Sequence, residues 1–105
     1  MSGNCYQMAL RMATRHEAHG AVVVHGRPVY RGSELIDDPE GRYDHAWAEV
    51  NGMVLDYSNG NEVELPAPMY YRVGEIQQQD CKRYTVQAAH EHMMEFGHYG
   101  PWVQS

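Results

Sequence analysis

The sequence predicts an α+β fold, with an N-terminal helix packed on a small antiparallel sheet and a C-terminal helix. Three observations predict it. Apolar residues recur at helical spacing from Cys5 onward, a two-residue turn at Asn51-Gly52 joins two alternating segments, and Thr85 stands before a last apolar run. The chain is 105 residues long, the size of one domain spanning 1–105.

The first element follows from its stripe. Tyr6, Ala9, Leu10 and Ala13 are the apolar side, Met8 and Met12 lie beside it, and Arg11, Arg15 and Glu17 are the polar side. Asn4 is expected to cap the helix, its side chain accepting from a free N–H of the first turn. Gly20 is a natural stop, so the helix is predicted from about Cys5 to about His19. "AVVVH" from Ala21 reads as a buried strand, being apolar and β-branched. "HGRPVY" reads as a tight reversal or bulge followed by extended chain. The glycines, acids and Pro39 between Gly32 and Arg42 suggest a surface loop.

The hairpin is specified more closely. A turn at Asn51-Gly52 pairs Val50 with Met53, Glu49 with Val54 and Ala48 with Leu55, and the same register sets Trp47 against Asp56. Alternation then places Ala46, Ala48, Val50, Met53, Leu55 and Tyr57 on a core face. The opposite face carries His45, Trp47, Glu49, Val54, Asp56 and Ser58. There His45 and Asp56 are diagonal neighbours, roughly 7 Å apart at Cβ, close enough to hydrogen-bond. An aspartate so placed can hold an imidazole in one tautomer, and Trp47 can shield the pair from water. Taken alone, the hairpin fits an ordinary His and Asp on a half-solvated sheet face better than a catalytic pair.

After the hairpin, "SNGNEVELPAP" reads as a turn-rich connection. "MYYRVGEI" fits either a helical turn ending at Gly74 or a strand, and "CKRYTV" is a weak strand. Thr85 caps a last helix from about Val86 to Phe96, with Gly97 as its stop. Met93, Met94 and Phe96 are expected in the core. In the tail "HYGPWVQS", Tyr99 and Trp102 are expected to pack back onto the body.

Charge excludes some functions. Fourteen acids against eight bases give a net charge of −6, spread along the chain. That argues against a sequence-independent grip on nucleic acid, which needs clustered Lys and Arg. A protein partner with a basic surface stays open. No apolar run approaches the roughly 20 residues that span a bilayer, and no basic region precedes an apolar stretch as in a signal peptide. The expectation is a cytoplasmic protein of a bacterial cell, in which Cys5 and Cys81 stay unpaired. His90 and His92 are two apart on a helix and point about 200° away from each other, so they cannot share a metal. His16 and His19 could, but nothing suggests the remaining ligands. The expectation is therefore surface histidines, with no metal and no cofactor.

Cys5 opens the first helix. Free N–H groups and the helix dipole favour a thiolate there, and the same N–H groups can hold a developing oxyanion. The plainer alternative is a small buried apolar residue. Cys5, then "HAWAEV" 40 residues on at His45, then Asp56 11 residues further, resemble the transglutaminase-like core of the papain-like cysteine-enzyme fold. That family runs Cys at a helix N-terminus, "HAWxEV" on one strand, and Asp with a small hydroxyl residue shortly after it on the next. The resemblance implies a minimal core of that kind, with Cys5 as nucleophile, His45 as general base and acid, and Asp56 as the orienting carboxylate. It implies cysteine-dependent acyl transfer on a protein or peptide substrate: amide or isopeptide hydrolysis, deamidation or transamidation. Asn4, Gln7 and Trp47 are the candidates for substrate binding or oxyanion support. Over nearly its whole length the chain is also similar to small phage and prophage proteins with a "GNCY" start, a "HAWxE" strand, a "DxSNG" turn and a "GHYGPW" ending. That second resemblance implies the alternative of a non-catalytic phage-type protein that binds a host, conceivably a defence, protein.

Overall fold

The structure, a computed structural model, describes residues 4–29, 41–60 and 62–102. Most of the expected loop before Arg42 lies outside these residues. The fold is α+β: a five-stranded antiparallel sheet with helices on both faces.

Helix α1 is Cys5–Arg15, and it buries Cys5, Tyr6, Ala9, Leu10, Met12 and Ala13. It ends four residues earlier than predicted. The chain tightens into a 3-10 turn at Glu17–His19, and Gly20 at φ 81° stops it. Strand β1, Val22–Gly26, is almost wholly buried. Strands β2, His45–Val50, and β3, Met53–Asp56, form the hairpin in the expected register: Val50 opposite Met53, Glu49 opposite Val54, Ala48 opposite Leu55. Asn51 at φ 53° and Gly52 at φ 77° are both left-handed, as that turn requires.

Past the hairpin the reading needs correction. The stretch taken as a turn-rich connection contains strand β4, Val63–Pro66, paired antiparallel to β3. It is an edge strand, and Pro66 closes it where the missing N–H does no harm. The "MYY" segment is helical: α2 is Ala67–Val73, ending before Gly74. Strand β5, Lys82–Thr85, pairs with β1, and α3 is Val86–Phe96. The Thr85 hydroxyl accepts from the Ala88 N–H at 3.0 Å, and Gly97 at φ 76° ends the helix, both as expected. Trp102 packs into the core, its indole N–H donating to the His98 carbonyl at 2.9 Å. Tyr99, Phe96 and Met94 stay exposed, against expectation, whereas Met93 packs against the core. Met94 follows Met93 by one residue and so turns 100° away from the buried side.

The strand order is β4-β3-β2-β1-β5. One face of the sheet is covered by α1 and α3, where Leu10, Val23, Ala46, Ala48, Leu55 and Ala89 meet. The other face carries a second apolar cluster of Val24, Trp47, Val54, Tyr71 and Ile76, with α2 over it. The hairpin's second face is therefore not half-solvated: Trp47 and Val54 are fully buried. Trp47 lies flat across β1 because residue 26 is glycine; a Cβ there would come within 2.5 Å of the indole.

Candidate active site

His45 opens β2 and Asp56 closes β3, so the hairpin brings both to the same end of the sheet. Their side chains hydrogen-bond, His45 Nε2 to Asp56 Oδ2, at 2.8 Å, and both residues are more than nine-tenths buried. An ionised carboxylate only accepts, so Nε2 carries the proton and Nδ1 is left to take one. The Cys5 thiol, from the first turn of α1 on the other face, lies close enough to the same imidazole to raise its pKa. The ring sits at the strand's end, where it is reached from both layers. Tyr43 lies against it with ring centroids 5.3 Å apart, and Trp47 lies behind at 6.0 Å.

Asp56 is held on both oxygens. Ser58 Oγ donates to Oδ1 at 2.9 Å, its backbone N–H reaches Oδ1 at 3.3 Å, and the Tyr70 hydroxyl donates to Oδ2 at 2.6 Å. Burial by itself would push the carboxyl pKa up. The His45 bond and charge, then the Tyr70 and Ser58 bonds, outweigh that and hold it below the usual value. For His45 burial opposes the charged form. The hydrogen bond to Asp56, the nearby Cys5 thiol and the charge of Asp56 prevail, and its pKa is raised to about 9. This is an arrangement in which an imidazolium is stable between a thiol and a carboxylate.

The other residues predicted for the site divide. Asn4 stands at the N-cap of α1 but its side chain makes no cap bond, so the first-turn N–H groups are not consumed by it. Gln7 is half-buried two residues past Cys5, about 200° around the helix from the thiol, the wrong side for an oxyanion donor. The backbone N–H groups of the first turn, left uncapped by Asn4, are the remaining candidates. Trp47 has no exposed surface, and its indole N–H donates to Glu49 Oε2 at 2.8 Å. It walls the site from behind and does not meet a substrate.

Two tyrosines were missed by sequence reasoning. Tyr70 bonds Asp56, and Tyr71 bonds Glu49, which also accepts from Arg83 at 2.8 Å. Their rings flank Trp47, with centroids 5.1 and 5.9 Å away. The signal was present as "YY", but it could not be placed while its segment was open between helix and strand.

A cavity of about 200 Å³ is lined by Tyr6, His25, Arg27, Asp44, Lys82 and Tyr84 among others, and neither Cys5 nor His45 is part of that lining. Cys5 and Cys81 are both free thiols. Among the described residues no group of three or more His, Cys, Asp or Glu is placed to hold a metal ion. His92, expected on the surface, instead stacks on Trp102 with centroids 5.1 Å apart. No described helix is long and apolar enough to cross a membrane.

No family model, curated protein or solved structure matches the chain.

Proposed function

We propose that the chain is a cysteine-dependent acyl-transfer enzyme acting on an amide in a protein or peptide, with Cys5, His45 and Asp56 as its catalytic set. The observation that carries the reading is one imidazole bonded to a buried carboxylate through Nε2, with a thiol at the mouth of a helix close enough to raise the ring's pKa. In that arrangement the proton shared by the thiol–imidazole pair rests on His45 as the sulfur attacks the amide carbonyl carbon. The first-turn N–H groups of α1 hold the oxyanion. His45 then returns the proton to the leaving amine, the C–N bond breaks, and a thioester remains on Cys5. Water or an acceptor amine attacks the thioester and regenerates the thiol, giving hydrolysis, deamidation or transamidation. Two free thiols fit a reducing compartment, and we infer the cytoplasm.

A second reading, a phage-type protein that binds a host protein without catalysis, draws on the exposed Met94, Phe96 and Tyr99 at the end of α3. Alkylation separates the two. Accessibility alone favours Cys81, which is half-buried, over Cys5, which is buried. Burial also raises the Cys81 pKa. The enzyme reading therefore expects iodoacetamide, followed by peptide mass spectrometry at neutral pH, to modify Cys5 well before Cys81, and His45→Ala to abolish the preference. Equal or slower modification of Cys5 ends this reading and leaves the binding one.

A further inference from the structure

We propose that Tyr70 is a positioning residue of this site: its hydroxyl shares Asp56 Oδ2 with His45 and so sets how strongly the carboxylate grips the imidazole. The inference rests on the reading of Cys5, His45 and Asp56 as a working set. The geometry that motivates it is the division of labour at the carboxylate. Among the described residues Ser58 occupies Oδ1, through its hydroxyl at 2.9 Å and its N–H at 3.3 Å, and that fixes the carboxylate plane. Oδ2 is split between two donors, His45 Nε2 at 2.8 Å and Tyr70 Oη at 2.6 Å. A second donor on one acceptor oxygen withdraws electron density from the bond to the first, so the phenol tempers the carboxylate's hold on the ring. The phenol keeps its own proton at any working pH, because burial, then the Asp56 charge and bond, raises its pKa.

Tyr70 reaches this oxygen from α2, on the face of the sheet opposite α1. Its ring is fixed independently of the hydroxyl, against Trp47 at 5.1 Å and Tyr71 at 6.4 Å. Loss of the hydroxyl alone therefore leaves the packing and the Ser58 bonds in place. The titratable groups facing the pair are Cys5 from α1, Tyr43 ahead of β2, and Tyr70 and Tyr71 from α2. None of these is a carboxylate, and the carboxylate acting on His45 is Asp56.

The test is Tyr70→Phe, read by an NMR titration of the His45 ring in the full chain. With Oδ2 undivided, His45 is expected to titrate higher than in the parent protein. In an Asp56→Asn background the same substitution should leave His45 unmoved, which a purely structural role would not produce. An unchanged or lowered His45 titration in Tyr70→Phe overturns the proposal, and so does a shift that survives Asp56→Asn. Cys5 alkylation of the parent protein, run alongside, reports on the catalytic set itself. Failure there with a shifted His45 titration removes the enzyme and leaves the hydrogen-bond relation standing.

Discussion

At the scale of single residues, Asp56 is a point of convergence. Among the described residues, four donor contacts end on its two oxygens, from the Ser58 N–H, Ser58 Oγ, His45 Nε2 and Tyr70 Oη. An asparagine in its place has the same shape but can present an NH₂ to His45 Nε2. The ring then adopts the other tautomer, with its proton on Nδ1 facing the thiol, and can no longer take one from sulfur. Asp56→Asn should therefore lower turnover by a factor on the order of 10³–10⁴, as the same change does in a serine protease triad. Before a substrate is in hand, the check is the alkylation rate of Cys5, which should fall towards that of Cys81 while the thermal unfolding profile stays cooperative. Retention of the parent rate in Asp56→Asn would remove the carboxylate from the mechanism.

At the scale of elements, what was legible and what was not separates by distance along the chain. The α3 cap was legible because Thr85 acts on Ala88, three residues on, and the hairpin register was legible because a two-residue turn dictates it. His45 and Asp56 came together from those local rules alone. Strand β4 was not legible. It alternates half-buried and exposed residues over only four positions between turn residues and Pro66, and its existence depends on pairing with β3. Helix α2 was ambiguous for a similar reason. It is seven residues long, too short to show a stripe, and its two tyrosines find their carboxylates 14 and 22 residues back in sequence. The buried second face of the hairpin was misread as half-solvated because the helix covering it could not be assigned. Helix α1 was read too long because the 3-10 turn after Arg15 continues much the same spacing up to Gly20. The local part of this account is open to measurement at the α3 cap. Thr85→Ala removes the acceptor for the Ala88 N–H and should destabilise the protein by about 1 kcal/mol. Denaturant unfolding would show the midpoint fall with no change of slope. A neutral result would mean that packing of α3, not its cap, sets where the helix begins.

At the scale of the whole molecule, two buried histidines titrate in opposite directions and bracket the pH of greatest stability. His25 lies among Tyr6, Tyr84 and Trp102, with ring centroids 4.7 to 5.1 Å away, and among the described residues its Nε2 has no hydrogen-bond partner. Burial first, then the charges of Lys82 and His92, lowers its pKa from 6.5 to about 4. His45 moves from 6.5 up to about 9. The signs follow from proton binding. Between pH 6.5 and about 4 the unfolded chain protonates residue 25 more readily than the fold does, so stability drops as the medium is acidified. Asp56, whose folded pKa is depressed, adds to that loss as pH falls from its ordinary value through its folded one. Between pH 6.5 and about 9 the fold retains the His45 proton that the unfolded chain releases, so stability drops as the medium is made alkaline. The His25 term is complete above 6.5 and the His45 term complete below it, so the melting temperature should peak near pH 6.5. Calorimetry across that range, repeated on His45→Gln and His25→Leu, separates the two limbs. The first variant should lose the alkaline decline and keep the acid one. The second should lose the decline between 6.5 and 4 and keep the alkaline one. A parent curve that stays flat from pH 6.5 to 9 would mean the His45 imidazolium gains nothing from the fold, and the thiol–imidazole–carboxylate arrangement would lose its electrostatic basis.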